Sequence, residues 1–250
     1  MGSRRTNQYI RSIELNREAV PSFTEYPFNL AAIRNLESLA FHPQVTFIVG
    51  ENGSGKSTIL ESIAVAYGFN AEGGTKNFNF SSRATHSELN KHIRLIKGLK
   101  RPEDGFFLRA ESFYNLASNI DELDSEQSFG PPLIDSYGGK SLHEQSHGES
   151  FFAVFQNKFR GNGLYILDEP EAALSPSRQM SMITRMHELV QQGSQFIIAT
   201  HSPIIMAYPH AQIYEIQEGL ERITYEGTEH YQIMRAFLNN TQKMLDILLD

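Results

Sequence analysis

The run Val45-Thr46-Phe47-Ile48-Val49 leads without a break into Gly50-Glu51-Asn52-Gly53-Ser54-Gly55-Lys56-Ser57, and a helical stripe follows at once. A short β-branched and aromatic run of this kind reads as a strand buried on both faces. After it Ile59, Ile63 and Ala66, with Leu60 and Ala64, recur at helical spacing. The eight residues between satisfy G-x-x-x-x-G-K-[ST] in full, with strand before and helix after. Glycines at those positions let the backbone wrap an anion with its N–H groups pointing inward, and the helix N-terminus adds partial positive charge. Gly50, Glu51, Asn52, Gly53, Ser54, Gly55, Lys56, Ser57 and Thr58 are therefore expected to hold the phosphates of a nucleotide, ATP, with Mg²⁺. Lys56 should reach the β- and γ-phosphates, and the Ser57 hydroxyl should join the metal shell.

A second apolar run, Leu164-Tyr165-Ile166-Leu167, ends in Asp168-Glu169-Pro170. An acid at a strand tip is placed to hold Mg²⁺ through water, which gives Asp168 the metal role. Glu169, one residue on, points elsewhere and is the candidate base for the water that attacks a γ-phosphate. A third strand, Phe196-Ile197-Ile198-Ala199, is followed by Thr200-His201-Ser202-Pro203. A neutral His201 there can sense the γ-phosphate and help position the water. Between these strands Ser175-Pro176 caps a helix in which Met180, Ile183, Met186 and Val190 form the expected apolar stripe, ended by Gly193. Strand–helix alternation predicts an α/β fold with a mostly parallel sheet and flanking helices.

The loop at Gly50, the Asp168-Glu169 pair and His201 together resemble ABC-type ATPases, over roughly residues 45–203. Within that superfamily the chain looks like a small soluble stand-alone ATPase of the SMC- and RecF-like branch rather than a transporter subunit. The resemblance implies a signature loop that caps ATP bound by a second subunit. Gln145-Ser146-His147-Gly148-Glu149 resembles L-S-G-G-Q in its Ser and second Gly, so Ser146, His147, Gly148 and Glu149 are expected to act in trans. It also implies a homodimer that sandwiches ATP, a cytoplasmic setting, and work in DNA maintenance or phage defence, with DNA or a partner protein engaged. Ser175 stands where many members carry an acid, and no coupling glutamine is evident; Glu111 is its nearest candidate and a candidate metal contact. Tyr26 and Phe28 are the aromatics considered for stacking on adenine.

The polar stretch 71–145 is expected to be an inserted lobe leading to the signature loop, with 1–70 and 146–250 forming the ATPase core. Inside it His143-Glu144-Gln145-Ser146-His147 satisfies H-E-x-x-H. That pattern would bind zinc on a helix, but Gly138-Gly139 before it and Gly148 after it argue against one. The basic residues 91–101 read either as a solvated helix face or as a contact for phosphate backbone. Bulk charge gives nucleic acid no support, with 22 basic against 29 acidic residues. No run approaches the roughly 18 apolar residues of a membrane span, no apolar core follows Arg4-Arg5, and cysteine is absent, which excludes a thiolate metal site. The other readings are a nucleotide-dependent switch with negligible turnover, a transporter ATP-binding subunit and, more distantly, a P-loop kinase.

Overall fold

The apolar runs that open the argument are the centre of the molecule. The computed structural model describes residues 8–71, 73–75, 87–110, 113, 117–118, 120, 135, 139 and 147–249. In chain order the strands are β1 (Ile10–Leu15), β2 (Ser38–Ala40), β3 (Val45–Gly50), β4 (Ile93–Lys97), β5 (Asp104–Arg109), β6 (Gly163–Asp168), β7 (Gln195–Ala199), β8 (Gln212–Ile216) and β9 (Leu220–Ile223). The helices are α1 (Ala31–Arg34), α2 (Lys56–Tyr67), α3 (Leu89–His92), α4 (His147–Asn157), α5 (Pro176–Gln191), α6 (Pro203–Met206), α7 (Glu229–Asn239) and α8 (Thr241–Leu249).

Six strands form the main sheet in the order β5-β6-β7-β3-β8-β9. All its pairings are parallel except the β8–β9 hairpin at one edge. Every residue of β3, β6 and β7 is buried, as strands covered on both faces require. The period of two sorts their side chains into two cores. Phe47, Phe106, Tyr165, Leu167, Phe196 and Ile198 pack with α4 and α5 on one face. On the other face Ile48, Phe107, Leu164, Ile166 and Ile197 pack against α2 and a small sheet. That small sheet, β2-β1-β4, is antiparallel. Gln195 ties the two sheets together from a fully buried position. Its Oε1 accepts the N–H groups of Tyr9 and Ile10, both at 2.9 Å, and its Nε2 donates to the carbonyls of Ile10 and His42 at 2.8 and 3.0 Å. A buried amide satisfied on all four sides fixes one docking geometry.

Three expectations change in detail. Helix α5 has the predicted hydroxyl cap, Ser175 Oγ accepting from Arg178 N, and Pro176 opens it. Its buried stripe, however, is Met182, Met186, Leu189 and Val190, while Met180 is 57% exposed. The helix is rotated because Met182 and Leu189 share the face with Met186, an ambiguity left open by four apolar residues spaced three and four apart. The basic stretch at 91–101 is not one helix: α3 ends at His92 and β4 follows at once. Its β-branched Ile93 and Ile96 favour a strand, on which Arg94 and Lys97 face outward. Finally, the stretch 71–145 supplies β4 to the small sheet and β5 to the edge of the main sheet, so these two pieces pack with the core.

Candidate functional site

Parallel pairing of β6, β7 and β3 brings their carboxyl ends to one edge, the usual position for ligands in such sheets. At the tip of β3 the chain turns through Gly53 and Gly55 into α2. Gly55 takes φ 106° at the helix N-cap, a left-handed conformation that a side chain adopts only with strain. Lys56 is 3% exposed, and its Nζ donates to the carbonyls of Gly50 and Glu51, both at 2.9 Å. Burial lowers its pKa, and the carboxylates of Glu169, Asp168, Glu171 and Glu51 oppose that fall. In the same loop Ser54 Oγ is buried with no hydrogen-bond partner. A buried hydroxyl without a partner is costly. The donor set of Lys56, Ser54 and Ser57 at a helix start therefore fits a phosphate chain.

Asp168, at the tip of β6, is 4% exposed. The Ser57 hydroxyl donates to its Oδ1 at 3.1 Å, so the two residues expected to hold Mg²⁺ are in contact. Both are hard oxygen donors, the chemistry Mg²⁺ selects. Arg109, the register partner of Asp168 on β5, lies 3.7 Å from its Oδ2 through Nε. The same guanidinium donates from Nη1 to Glu61 Oε2 at 2.8 Å, while Glu61 Oε1 accepts the N–H of Ser87 at 3.1 Å. This network links Asp168 to α2.

Glu169 occupies the left-handed region, φ 50° and ψ 53°, with its N–H donating to the Ala199 carbonyl at 3.0 Å. Such a conformation is uncommon for a residue with a Cβ and marks a constrained position. It separates the two neighbouring carboxylates: Asp168 meets Ser57, whereas Glu169 Oε1 lies 3.3 Å from His201 Nε2. His201 is held at two further points, by Glu171 and by His230. Its backbone N–H donates to Glu171 Oε1 at 2.5 Å, its Nδ1 lies 2.9 Å from His230 Nε2, and the two imidazole centroids are 5.0 Å apart. Burial first, then the Lys56 charge, lowers the His201 pKa below its usual 6.5, with Glu169 acting the other way. That shift favours the neutral ring. Burial likewise pushes the Glu171 carboxyl upward.

Gly148 and Glu149 open α4 against the segment that follows Glu169. A Cβ on Gly148 would lie 2.4 Å from the Ala173 carbonyl oxygen, and Glu149 pairs with Arg178 at 3.5 Å. That close approach explains the need for glycine. Gly148→Ala should lower stability by about 1–3 kcal/mol, because a backbone oxygen rather than a side chain must give way. Urea denaturation checks this; an unchanged or raised midpoint would remove the contact from the account.

Of the remaining expected residues, Ser146, Glu111, His143 and Glu144 lie outside the described residues, as does the side chain of His147. Among the described residues no group of three or more His, Cys, Asp or Glu is arranged to hold a metal ion. Phe28 is not available for stacking: it is 3% exposed, in the core, with its ring edge-on to His92 at 5.0 Å. Tyr26 is 64% exposed, and its hydroxyl lies 3.4 Å from Thr58 Oγ1 at the start of α2. Arg109, Glu171 and His230 escaped the sequence reading. The first had a signal, a cation closing the apolar run Phe106-Phe107-Leu108; His230 had none.

The strand–loop–helix at residues 50–57 sits at the carboxyl edge of a mostly parallel sheet, and the comparisons with known families point to ATPase domains. A family described as an AAA domain matches residues 28–127, and one described as an AAA ATPase domain matches residues 145–206. Over those two segments the chain is similar to ATPase domains of the AAA kind. Among curated relatives it is 24% identical over 215 residues to the macrolide export ATP-binding/permease protein MacB of Hahella chejuensis, covering 76% of this chain and 30% of that protein. It is 24% identical over 226 residues to the ribose import ATP-binding protein RbsA of Yersinia pestis, covering 83% and 41%. The chain thus spans less than half the length of both. The cell division ATP-binding protein FtsE of Bacillus subtilis is 21% identical over 215 residues, covering 79% and 91%. A nucleotide-free ATP-binding cassette from an ABC transporter superposes with a TM-score of 0.52 at 18% identity, covering 92% of this chain and 96% of that one. CbiO1 from Clostridium perfringens gives 0.50 at 19%, covering 97% and 99%. The mixed α/β fold with its mostly parallel sheet is shared with these cassettes. No helix among the described residues is long and apolar enough to cross a membrane.

Proposed function

We propose that this chain binds Mg-ATP at residues 50–58 and hydrolyses it between two copies of itself. One observation carries the reading: adjacent carboxylates at the tip of β6 are divided between a metal-side hydroxyl, Ser57, and a switch-side imidazole, His201. That division is what hydrolysis of a γ-phosphate needs, one acid for the cation and one for the water.

Ser57 and Asp168 would hold Mg²⁺. When bound, the cation neutralises charge on the β- and γ-phosphate oxygens. Lys56 leaves the carbonyls of Gly50 and Glu51 for the same phosphates and brings a charge-assisted bond with it. Glu169 accepts the proton of the attacking water. His201, neutral, donates from Nε2 toward Glu169 or the γ-phosphate and keeps the base aligned. Tyr26, exposed and with its hydroxyl beside Thr58 at the start of α2, supplies the ring for the adenine. Ser146 and the Gly148 backbone of a second copy close the site, and the copies separate after hydrolysis.

The process this turnover drives, DNA maintenance or phage defence, rests on resemblance to the soluble SMC- and RecF-like branch. Three cations of the basic stretch already have partners: Lys91 pairs with Glu88 at 2.7 Å, Arg94 with Glu14 at 3.9 Å, and Lys97 Nζ sits 4.8 Å over the Tyr67 ring. A second reading, the ATP-binding subunit of a transporter, is favoured by the names of the curated relatives. Against it, Ser150-Phe151-Phe152 follows the signature where transporter subunits carry a basic helix start.

The test is phosphate release by the purified chain with ATP, in Mg²⁺ and in EDTA. Steady release in Mg²⁺ that stops in EDTA is expected. Tight ATP binding without release in either condition would replace the enzyme by a nucleotide-dependent switch.

A further inference from the structure

His230, 29 residues beyond His201, is the second residue of α7. Its place is fixed from behind. Thr228 is fully buried and its hydroxyl donates to the Tyr225 carbonyl at 2.8 Å, while buried Glu215 on β8 accepts the N–H of Glu229 at 3.0 Å. An acid at a helix N-terminus meets both an unsatisfied donor and the helix dipole. The result is a continuous line of three side chains, Glu169 Oε1 to His201 Nε2 at 3.3 Å and His201 Nδ1 to His230 Nε2 at 2.9 Å. The line ends there, because His230 Nδ1 is buried and has no hydrogen-bond partner.

Proton placement along this line has one satisfactory solution. A neutral imidazole offers one donor and one acceptor. With the His201 proton on Nε2, it points at the Glu169 carboxylate, and Nδ1 accepts from His230 Nε2–H. His230 Nδ1 is then a bare lone pair, which burial tolerates better than an unpaired N–H. With the His201 proton on Nδ1, two acceptors face each other at Glu169, and the His230 proton is forced onto its buried, partnerless Nδ1. A doubly protonated His201 leaves the same orphan N–H on His230, and burial and Lys56 both oppose that extra charge.

We propose that His230 is a positioning residue that holds His201 in its Nε2–H tautomer, aimed at Glu169 and at the place of the γ-phosphate. The tautomer follows from the hydrogen bonds alone; its use in catalysis rests on the ATPase reading above. The proposal makes α7 part of the catalytic apparatus, so that a displacement of α7 would release the His201 ring.

The experiment is ¹⁵N-edited imidazole NMR of the full chain without nucleotide, paired with steady-state kinetics. His201 should show a protonated Nε2 and a pyridine-like Nδ1 in the wild type. In His230→Ala the His201 signals should move to a tautomer mixture, and in His230→Gln, whose amide can still donate, they should return toward the wild type. Kinetically, His230→Ala should lower kcat roughly 10- to 100-fold, by analogy with the loss when the outer partner of a metal-ligating histidine is removed. ATP affinity should change less than about two-fold, because His230 lies behind the imidazole and not on the nucleotide. A wild-type His201 protonated on Nδ1, or a tautomer unaltered in His230→Ala, would overturn the proposal. So would an unchanged kcat in a chain that hydrolyses ATP. Were the wild type to show no turnover, the ATPase reading would fail while the NMR still decided the tautomer.

Discussion

Lys56→Ala should weaken ATP binding at least about 100-fold, measured by titration calorimetry or with a fluorescent ATP analogue. A charge-assisted hydrogen bond contributes about 1.5–3 kcal/mol, and Lys56 can make more than one to the β- and γ-phosphates. The side chain is already inside the loop, 3% exposed and held on two carbonyls, so little ordering remains to be done when phosphate arrives. Folding should survive the change. Burial disfavours the ammonium, as its lowered pKa records, so removing it sheds a desolvation cost along with two hydrogen bonds. A melting temperature near that of the wild type with binding lost is the expected pair of results. Binding within three-fold of the wild type would take the phosphate site away from this loop.

Glu169→Gln should reduce phosphate release by roughly 10²- to 10⁴-fold, the contribution of a positioned general base. The amide keeps the length and shape of the carboxylate and can stay beside His201, but it cannot accept the water's proton. The backbone N–H bond from Glu169 to Ala199 and the left-handed φ do not depend on the carboxylate. ATP should bind within a few-fold of the wild-type affinity. Undiminished turnover would move the base elsewhere, and Glu171, buried beside His201 with its carboxyl pushed upward, would be the next residue to test.

The residues on the phosphate side were legible because their chemistry is local. Gly50 to Ser57 and the Asp168-Glu169 pair announce themselves by adjacent strands and fixed spacing. His201 stood out by its place one strand further on, and the fold sets its Nε2 beside Glu169. What the sequence did not disclose depends on contacts between distant residues. Gln195 joins β7 to the small sheet across 185 positions, and nothing near it distinguishes it from a surface amide. His230 meets His201 only because the chain turns back after β9, through Tyr225–Gly227, and seats the start of α7 on Glu215. Arg109 reaches Asp168 through parallel register, which no single-strand pattern encodes. The misread stretch at 91–101 shows the complementary failure: Lys and Arg dominated the reading, although Ile93, Leu95 and Ile96 already carried the packing signal of an edge strand.

The composite site between two copies is the central claim, and light scattering after size exclusion of Glu169→Gln, with and without Mg-ATP, tests it most directly. Blocked hydrolysis should leave ATP in place as the link between the two surfaces, so monomer should become dimer only when Mg-ATP is present. A variant that binds ATP and elutes as a monomer in both conditions would contradict the account.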